Sequence, residues 1–294
     1  MSKKSLPYYP GRVTLIWGFD IPAITKQEVF MSHPSRQLEE EKLLDVHIWR
    51  GCGDAGDYQT FQVPLQESQT ILDVVSYIQH YIDPTLTYRF ACRVGMCGSC
   101  AMMVNGVPRW TCRTHVKKIT DTSNQAKGLT ISPLRNLPVI KDLVVDMDVF
   151  FDKWVRAEAV HHPTRSIEQG VQKVDETSDE RRAANAAIEC INCAVCYAAC
   201  DVVASNPDYL GPAALNRAWS LVNDVRDGGR EAILEAVSGT GGCHNCHSQQ
   251  SCQKYCPNEL NPTASIAGLK RETAKHALRG LLPSSPRHQP EEPV

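Results

Sequence analysis

Apolar and polar positions alternate in two neighbouring segments, residues 43–50 (LLDVHIWR) and residues 59–65 (QTFQVPL). Alternation of this kind is typical of β-strands that bury one face. The sequence GCGDAGD separates the two segments, and glycine is a common turn residue because it adopts backbone angles that other residues resist. The pattern therefore predicts a β-hairpin whose turn lies in the glycine-rich sequence.

The next apolar positions recur at helical spacing. They are Ile71, Val74, Val75, Ile78 and Ile82. Thr70 or Ser68 is placed to cap the N-terminus of this predicted helix, and Asp83-Pro84 is placed to end it.

Further strands follow the helix. Residues 102–104 run into Asn105-Gly106, a two-residue hairpin signal, and residues 107–112 (VPRWTC) form the returning strand. Residues 129–134 (LTISPL) provide another strand. One helix packed on a small twisted sheet describes a β-grasp, so we predict an α+β protein that begins with a β-grasp domain.

The second half of the chain reads as helical. Helices are predicted from Arg181 towards Cys190 and over residues 141–157, 211–227, 231–237 and 262–282. An exposed connection is predicted over residues 161–180. We therefore predict an N-terminal extension (residues 1–40), a sheet domain (41–145), an all-α domain (146–282) and a disordered tail (283–294). The extension also contains a candidate docking segment for a partner, formed by Val13, Leu15, Ile16 and Trp17.

Composition narrows the functional classes. The 294 residues carry a formal net charge of −2, which gives no electrostatic argument for nucleic acid binding. No apolar run approaches the roughly 20 residues that a membrane-spanning helix needs, and no targeting signal is evident. The thirteen cysteines are closely clustered, which favours metal ligation in a reducing compartment over disulfides.

The first cysteine group has the spacing of plant-type 2Fe-2S ferredoxins. Cys92, Cys97 and Cys100 follow C-x4-C-x2-C, and Cys112 is the distant fourth ligand. Gly95 and Gly98 allow the loop to wrap a cluster and to direct backbone N–H groups at its sulfurs. Zinc is a weaker alternative because its sites commonly use two short C-x2-C hairpins.

Two distant cysteine runs interlock as in bacterial two-cluster ferredoxins. The first, CINCAVCYAAC, places Cys190, Cys193, Cys196 and Cys200 in the pattern C-x2-C-x2-C-x3-C. The second reads C-x5-C-x3-C-P, as if Gln249 had replaced one cysteine of the same motif. In that pattern the fourth cysteine of each run serves the other cluster. The spacing thus assigns a 4Fe-4S cluster to Cys190, Cys193, Cys196 and Cys256, and a 3Fe-4S cluster to Cys200, Cys246 and Cys252.

Two cysteines remain outside these sets. Cys243 forms the sequence CHNC with Cys246, and a rival assignment makes it the fourth ligand of the last cluster, which would then be 4Fe-4S. Cys52 stands alone in a predicted turn and is expected to be a free thiol.

With all three cysteine sets in this order, the chain resembles the iron–sulfur subunit of succinate dehydrogenase and quinol:fumarate reductase. The resemblance covers about residues 41–282. It is carried by YRFACRVGMCGSCAMMVNG, KDLVVDM, CINCAVCYAAC, NPDYLGPAALNRA and a final CP followed by LNPTASIAGLK.

This resemblance implies a plant-type ferredoxin domain followed by a bacterial-ferredoxin-like domain that together serve as an electron relay. A flavoprotein subunit with FAD oxidises succinate, the 2Fe-2S, 4Fe-4S and 3Fe-4S clusters pass the electrons on singly, and quinone accepts them beside one or more membrane anchor subunits. The expected location is peripheral, on the cytoplasmic side of a bacterial inner membrane. The 2Fe-2S cluster would lie near the flavin and the 3Fe-4S cluster near quinone, with His247 in the quinone-site wall.

Two residues depart from the family pattern near the expected quinone site. Asp201 replaces the usual proline after the fourth cysteine, and Ser205 replaces a tryptophan that contacts quinone in many succinate dehydrogenases. An acid beside a cluster is expected to favour the oxidised form or to accept a proton, since charge near a cluster affects its potential.

No sequence motif indicates substrate chemistry on this chain. It contains neither a G-x-G-x-x-G dinucleotide fingerprint nor a G-x-S-x-G nucleophile elbow. Dehydrogenation is therefore expected on another subunit. The rival interpretations are a subunit of a heterodisulfide-reductase-like or glycolate-oxidase-like system, fumarate reduction in the reverse direction, and a non-catalytic module in which zinc serves as a staple.

Overall fold

The predicted N-terminal hairpin is present, but its turn is much shorter than expected. In the computed structural model, which describes residues 42–122 and 128–281, strand β1 (Leu43–Cys52) pairs with β2 (Ala55–Pro64) around Gly53 and Asp54 alone. Most of the glycine-rich sequence is therefore strand. The two strands can pair this close to the turn because Gly51 has no side chain. A Cβ atom at Gly51 would lie 2.2 Å from the Ala55 carbonyl oxygen.

The hairpin belongs to a five-stranded sheet in the order β2-β1-β5-β3-β4. Strands β3 (Ala101–Val104) and β4 (Val107–Trp110) form the second predicted hairpin, and Asn105 and Gly106 both adopt left-handed backbone conformations in its turn. Strand β5 (Leu129–Ser132) runs parallel to β1 and antiparallel to β3. The start of β3, which follows Cys100, therefore lies beside the end of β4, which precedes Cys112.

One helix packs on this sheet as predicted. Helix α1 (Ile71–Tyr77) begins at Thr70, whose hydroxyl accepts from the Asp73 amide in a reciprocal capping box, and it continues into a π-helical turn (Ile78–Ile82). Its apolar face joins β1 and β5 in one core. A second helix, α2, spans Val116–Thr122.

The predicted helix over residues 141–157 is wrong in its first half. Strands β6 (Val139–Lys141) and β7 (Val144–Val145) pair there, and helix α3 begins only at Asp148 and ends at Arg156. Asp142 explains the difference. Its backbone is left-handed (φ 49°), and its buried carboxylate accepts from the Gly51 and Thr87 amides, which holds the segment against the first hairpin.

The remaining described residues contain seven α-helices and no strand. They are α4 (Asp179–Ala184), α5 (Val195–Ala198), α6 (Asp201–Ser205), α7 (Gly211–Val222), α8 (Arg230–Ser238), α9 (Ser251–Lys254) and α10 (Pro262–Leu281). Helix α7 ends before the predicted Gly228 because the Asn223 side chain donates to the Trp219 carbonyl and Asp224 pairs with Arg226 in a turn.

The sheet region and the helical region share a hydrophobic core. Trp110, Cys112 and Leu134 from the first region lie in one buried cluster with apolar side chains of α5, α7 and α10. The predicted α+β class is confirmed, while the predicted domain boundary near residue 145 stays a prediction. The N-terminal extension with its candidate docking segment, and the tail from residue 283, lie outside the described residues.

Candidate functional site

All thirteen cysteines lie in the described part of the chain, and none is in a disulfide. Eleven of them form the three predicted sets. Their local geometry differs from set to set, because the first lies in and beside a loop of the sheet region and the other two line cavities in the helical region.

The first set is gathered by the loop before β3 and by the β3–β4 hairpin. Ala101 pairs with Trp110, so the hairpin brings Cys100 close to the 3-10 turn that contains Cys112. Thr111 strengthens this approach, because its amide and hydroxyl both donate to the Cys100 carbonyl, at 3.3 and 2.8 Å.

The loop wraps around one sulfur. The backbone amides of Val94, Met96 and Cys97 approach the Cys92 Sγ atom at 3.4, 3.2 and 3.3 Å. This curvature needs left-handed backbone at Gly95 and Gly98 (φ 77° and 71°), as the sequence predicted. The amides provide positive dipoles where thiolate charge would accumulate.

Two thiols of this set have different pKa values because their surroundings differ. The Cys92 amide and the Ser99 hydroxyl donate to the Cys97 sulfur and lower the pKa of that thiol to about 6. Burial and the neighbouring Cys100 raise the pKa of Cys112 to about 11.

The second set lines a largely apolar cavity. Its lining includes Cys190, Cys193, Cys196, Cys256, Trp110, Phe150 and Pro257. Left-handed backbone at Asn192 and Ala194 forms the tight turn from which helix α5 starts. Burial raises the pKa of the thiols of Cys190, Cys193 and Cys196, to about 11 for Cys193.

The third set lines a separate cavity that has only three cysteines in its wall. They are Cys200, Cys246 and Cys252, and Tyr209, His247 and Gln249 are also in the wall. Hydrogen-bond donors reach two of the sulfurs. The Ser248 amide lies 3.4 Å from the Cys246 Sγ atom, and the Thr263 hydroxyl lies 3.4 Å from the Cys252 Sγ atom.

Cys243 is not part of this cavity wall. Its side chain is fully buried, and its sulfur lies 3.8 Å from the Thr273 hydroxyl of α10. The geometry favours the assignment that leaves Cys243 outside the set. Cys52 is exposed at the end of β1, away from the cysteine cavities.

A loop after β5 reaches the third set. Asn136 has a left-handed backbone, and its side-chain amide donates to the Tyr197 and Cys200 carbonyls at 2.9 and 3.1 Å. The neighbouring Arg135 donates to the Ala198 carbonyl and pairs with Asp201 at 3.3 Å. Arg135 thus compensates the charge of the acid that departs from the family pattern, and both partners are more than half exposed.

The predicted quinone-site residues differ in position. His247 lines the third cavity and is exposed, whereas Ser205 ends α6 with its hydroxyl donating to the Val202 carbonyl. Across residues 42–122 and 128–281, no helix combines the length and apolar character needed to span a bilayer.

Family models match both cysteine regions. A model described as a 2Fe-2S iron-sulfur cluster binding domain matches residues 45–152, and one described as a 4Fe-4S dicluster domain matches residues 189–261. A fumarate reductase iron-sulfur subunit of Mycobacterium tuberculosis is 36% identical over 78% of this chain and 90% of its own length. The chain belongs to the family of succinate dehydrogenase and fumarate reductase iron–sulfur subunits.

A further relative and a solved structure are also similar to this chain. A fumarate reductase iron-sulfur subunit of Haemophilus influenzae is 33% identical over 76% of this chain and 89% of its own length. Among solved structures, a chain of the Mycobacterium smegmatis Sdh1 complex in the apo form matches with a TM-score of 0.69 at 24% identity, covering 83% of this chain and 100% of that chain. That match shows a shared fold.

Several residues around the cysteines of this iron–sulfur subunit were not predicted. Trp110 and Tyr209 line cysteine cavities, Thr263 contacts a cysteine sulfur, and Asn136 holds the backbone of Cys200. The sequence carries only a weak signal for Trp110, which stands two positions before Cys112. Tyr209 and Thr263 lie in the motifs NPDYLGPAALNRA and LNPTASIAGLK, but those motifs did not reveal their contacts with the third set. Asn136 is 64 residues from Cys200 along the chain, so local pattern could not reveal that contact.

Proposed function

We propose that this chain is the electron-transfer subunit of a succinate dehydrogenase complex, connecting the FAD of a flavoprotein subunit with quinone beside membrane anchor subunits. When bound, 2Fe-2S, 4Fe-4S and 3Fe-4S clusters supply the one-electron carriers for this connection. The chain itself would lie peripherally on the cytoplasmic side of the inner membrane, and its sheet region would be a β-grasp ferredoxin domain.

The observation that carries the proposal is the interlock of two cysteine runs into cavities with four and three thiols. Cys256 joins the first three cysteines of the early run, while Cys200 joins two cysteines of the late run. This is the exchange of fourth ligands typical of two-cluster ferredoxins. We therefore assign Cys190, Cys193, Cys196 and Cys256 to the 4Fe-4S cluster, Cys200, Cys246 and Cys252 to the 3Fe-4S cluster, and Cys92, Cys97, Cys100 and Cys112 to the 2Fe-2S cluster.

The donor sets suit clusters better than single zinc ions. Thiolates that share one zinc ion lie about 2.3 Å from it and are therefore crowded together. Among the residues that the structure describes, no three His, Cys, Asp or Glu side chains are placed to hold one metal ion. A cluster requires wider spacing because its thiolates bind different irons. The C-x4-C-x2-C loop of the first set and the exchange of fourth ligands between the other two sets support the clusters over the zinc staple.

The sets also follow one another in space. Gly98 of the first loop touches Cys193 of the second set. Burial raises the pKa of the Cys196 thiol in the second set, and neighbouring cysteines raise it further. One of these neighbours is Cys252 of the third set, so the second and third sets are close together. Neighbouring sets support a relay, and the exposed His247 beside the third set supports quinone contact there.

Replacement of a second-set ligand in the complete membrane complex tests the proposal. We expect Cys196→Ala to abolish succinate-driven quinone reduction while the flavoprotein continues to reduce artificial dyes. Cys52→Ala is the matched control, since this thiol is exposed and remote from the cavities, and it should retain both activities. Undiminished quinone reduction in Cys196→Ala would contradict the relay.

Fumarate reduction in the reverse direction is the second candidate. The names of the curated relatives favour it, because they are fumarate reductase subunits. Purified complex should be compared in succinate-driven quinone reduction and in quinol-driven fumarate reduction with the same quinone. A faster fumarate reaction would move the assignment to fumarate reductase without altering the cysteine assignments.

A further inference from the structure

Trp110 lies between the first and second cysteine sets. It ends β4, it is only 8% exposed, and its side chain lines the cavity of the second set. On the other side, a Cβ atom at Gly95 would lie 3.2 Å from the ring atom Cζ3. The indole is therefore in contact with the loop of the first set and with the cavity of the second.

The polar end of this ring has no partner. The Trp110 Nε1 atom is buried and forms no hydrogen bond within the described residues. A buried donor left unpaired destabilises the fold, so such a group needs an explanation.

The Cys193 sulfur is the nearby candidate acceptor. Cys193 lines the same cavity as Trp110, and the indole N–H is directed towards its sulfur without forming a complete hydrogen bond. A neutral thiol is a weak acceptor, whereas a thiolate accepts strong, charge-assisted hydrogen bonds.

We propose that the Trp110 indole N–H donates a hydrogen bond to the Cys193 thiolate when that residue holds the 4Fe-4S cluster. The inference rests on the cysteine assignment made under the proposed function. A hydrogen bond to a ligand sulfur stabilises the more negative, reduced form of a cluster and thus raises its reduction potential. Trp110 is in this sense a positioning residue that tunes the middle carrier.

A purely structural role for Trp110 predicts something different. A ring that only fills space affects folding and cluster loading, but it leaves the potential of a loaded cluster unchanged. The reduction potential and a direct magnetic coupling to the indole nitrogen therefore separate the two roles.

Trp110→Phe in the assembled complex is the first test, since it keeps an aromatic ring and removes the donor. In a redox titration followed by electron paramagnetic resonance, we expect the 4Fe-4S potential to shift to more negative values and the 3Fe-4S potential to remain in place. Trp154→Phe is the matched control. Its buried Nε1 atom is also unpaired, but Trp154 does not line the cavity. An unchanged 4Fe-4S potential in Trp110→Phe overturns the proposal.

The native complex provides a second measurement if Trp110→Phe fails to assemble. With ¹⁵N-indole tryptophan incorporated, pulsed electron paramagnetic resonance of the reduced 4Fe-4S cluster should detect a coupled ¹⁵N nucleus, and Trp154→Phe should retain that coupling. Absence of the coupling overturns the proposal. Absence of any 4Fe-4S signal from the native complex would instead remove the cysteine assignment, and this proposal with it.

Discussion

Gly98 in the loop of the first cysteine set packs directly against Cys193 of the second. A Cβ atom at Gly98 would stand 2.6 Å from the Cys193 Cβ atom and 2.9 Å from its Cα atom. No side chain fits at that distance, so glycine is required here for contact as well as for its left-handed backbone (φ 71°). The absence of a side chain sets the closest approach between the two sets.

Gly98→Ala is expected to disturb both sets. The new methyl group must displace Cys193 or the loop, which costs about 1–3 kcal/mol as in other overpacked sites. We expect a lower temperature of cluster loss in the assembled complex, followed by cluster absorbance, and slower quinone reduction.

Gly106→Ala provides the control for backbone strain. Gly106 has a similar φ of 76°, but nothing lies within 4 Å of its added Cβ atom. Gly106→Ala should lower stability only by the cost of placing alanine in a left-handed backbone conformation, about 1–2 kcal/mol. Equal losses in the two variants would mean that the Gly98 contact does not matter.

The two neighbouring cysteines of CHNC should differ in function. Cys246→Ala is expected to eliminate the 3Fe-4S signal of air-oxidised protein, because this residue lines the third cavity. Cys243→Ala should retain the signal, since Cys243 faces Thr273 instead. Electron paramagnetic resonance also tests the rival assignment, which predicts no 3Fe-4S signal from the air-oxidised native protein.

The Thr263 hydroxyl is expected to raise the potential of the third cluster. It lies 3.4 Å from the Cys252 sulfur, and only the hydroxyl can donate once that sulfur is a thiolate. Thr263→Val should therefore move the 3Fe-4S potential to more negative values in a redox titration. Thr273→Val is the control, because it makes the same substitution at a threonine that contacts Cys243 instead of Cys252. It should leave the 3Fe-4S potential unchanged.

Asn136 is expected to stabilise the third set from the sheet region. Asn136→Gly removes its bonds to the Tyr197 and Cys200 carbonyls without straining the left-handed backbone. Each lost bond should cost about 0.5–1.5 kcal/mol, and the iron content of the third site should fall.

Arg135→Ala offers a comparison for Asn136→Gly. Its ion pair with Asp201 is exposed, so loss of that pair should cost at most about 1 kcal/mol, and the variant also loses the donation from Arg135 to the Ala198 carbonyl. The measurement is iron per complex after mild heating. A larger iron loss in Arg135→Ala than in Asn136→Gly would contradict the assigned roles.

The sequence predicted the elements whose signals are local. Helix α1 has its apolar period and the Thr70 cap close together, and the Asn105-Gly106 turn is a two-residue signal. The helix predicted over residues 141–157 failed because Asp142 bonds to Gly51 and Thr87, which are distant along the chain. Local apolar spacing contains no information on such partners.

The cysteine sets were predictable for a related reason. Ligand spacing is fixed by the chemistry of the cluster, so motifs indicated the sets before any fold was known. The positions of the surrounding hydrogen-bond donors are not fixed by the chemistry of the cluster in this way. Trp110 appeared only as one position of a strand, and its proximity to Cys193 depends on how the sheet region meets α5.

The interlock of early and late cysteines constrains biosynthesis. A nascent chain that has passed Cys112 already contains all four thiols of its first set, whereas neither cavity of the helical region has its complete wall before Cys256 leaves the ribosome. Iron delivery to the two later sites must therefore wait for nearly the whole described polypeptide, and a chain truncated between the two runs would be unable to mature at either.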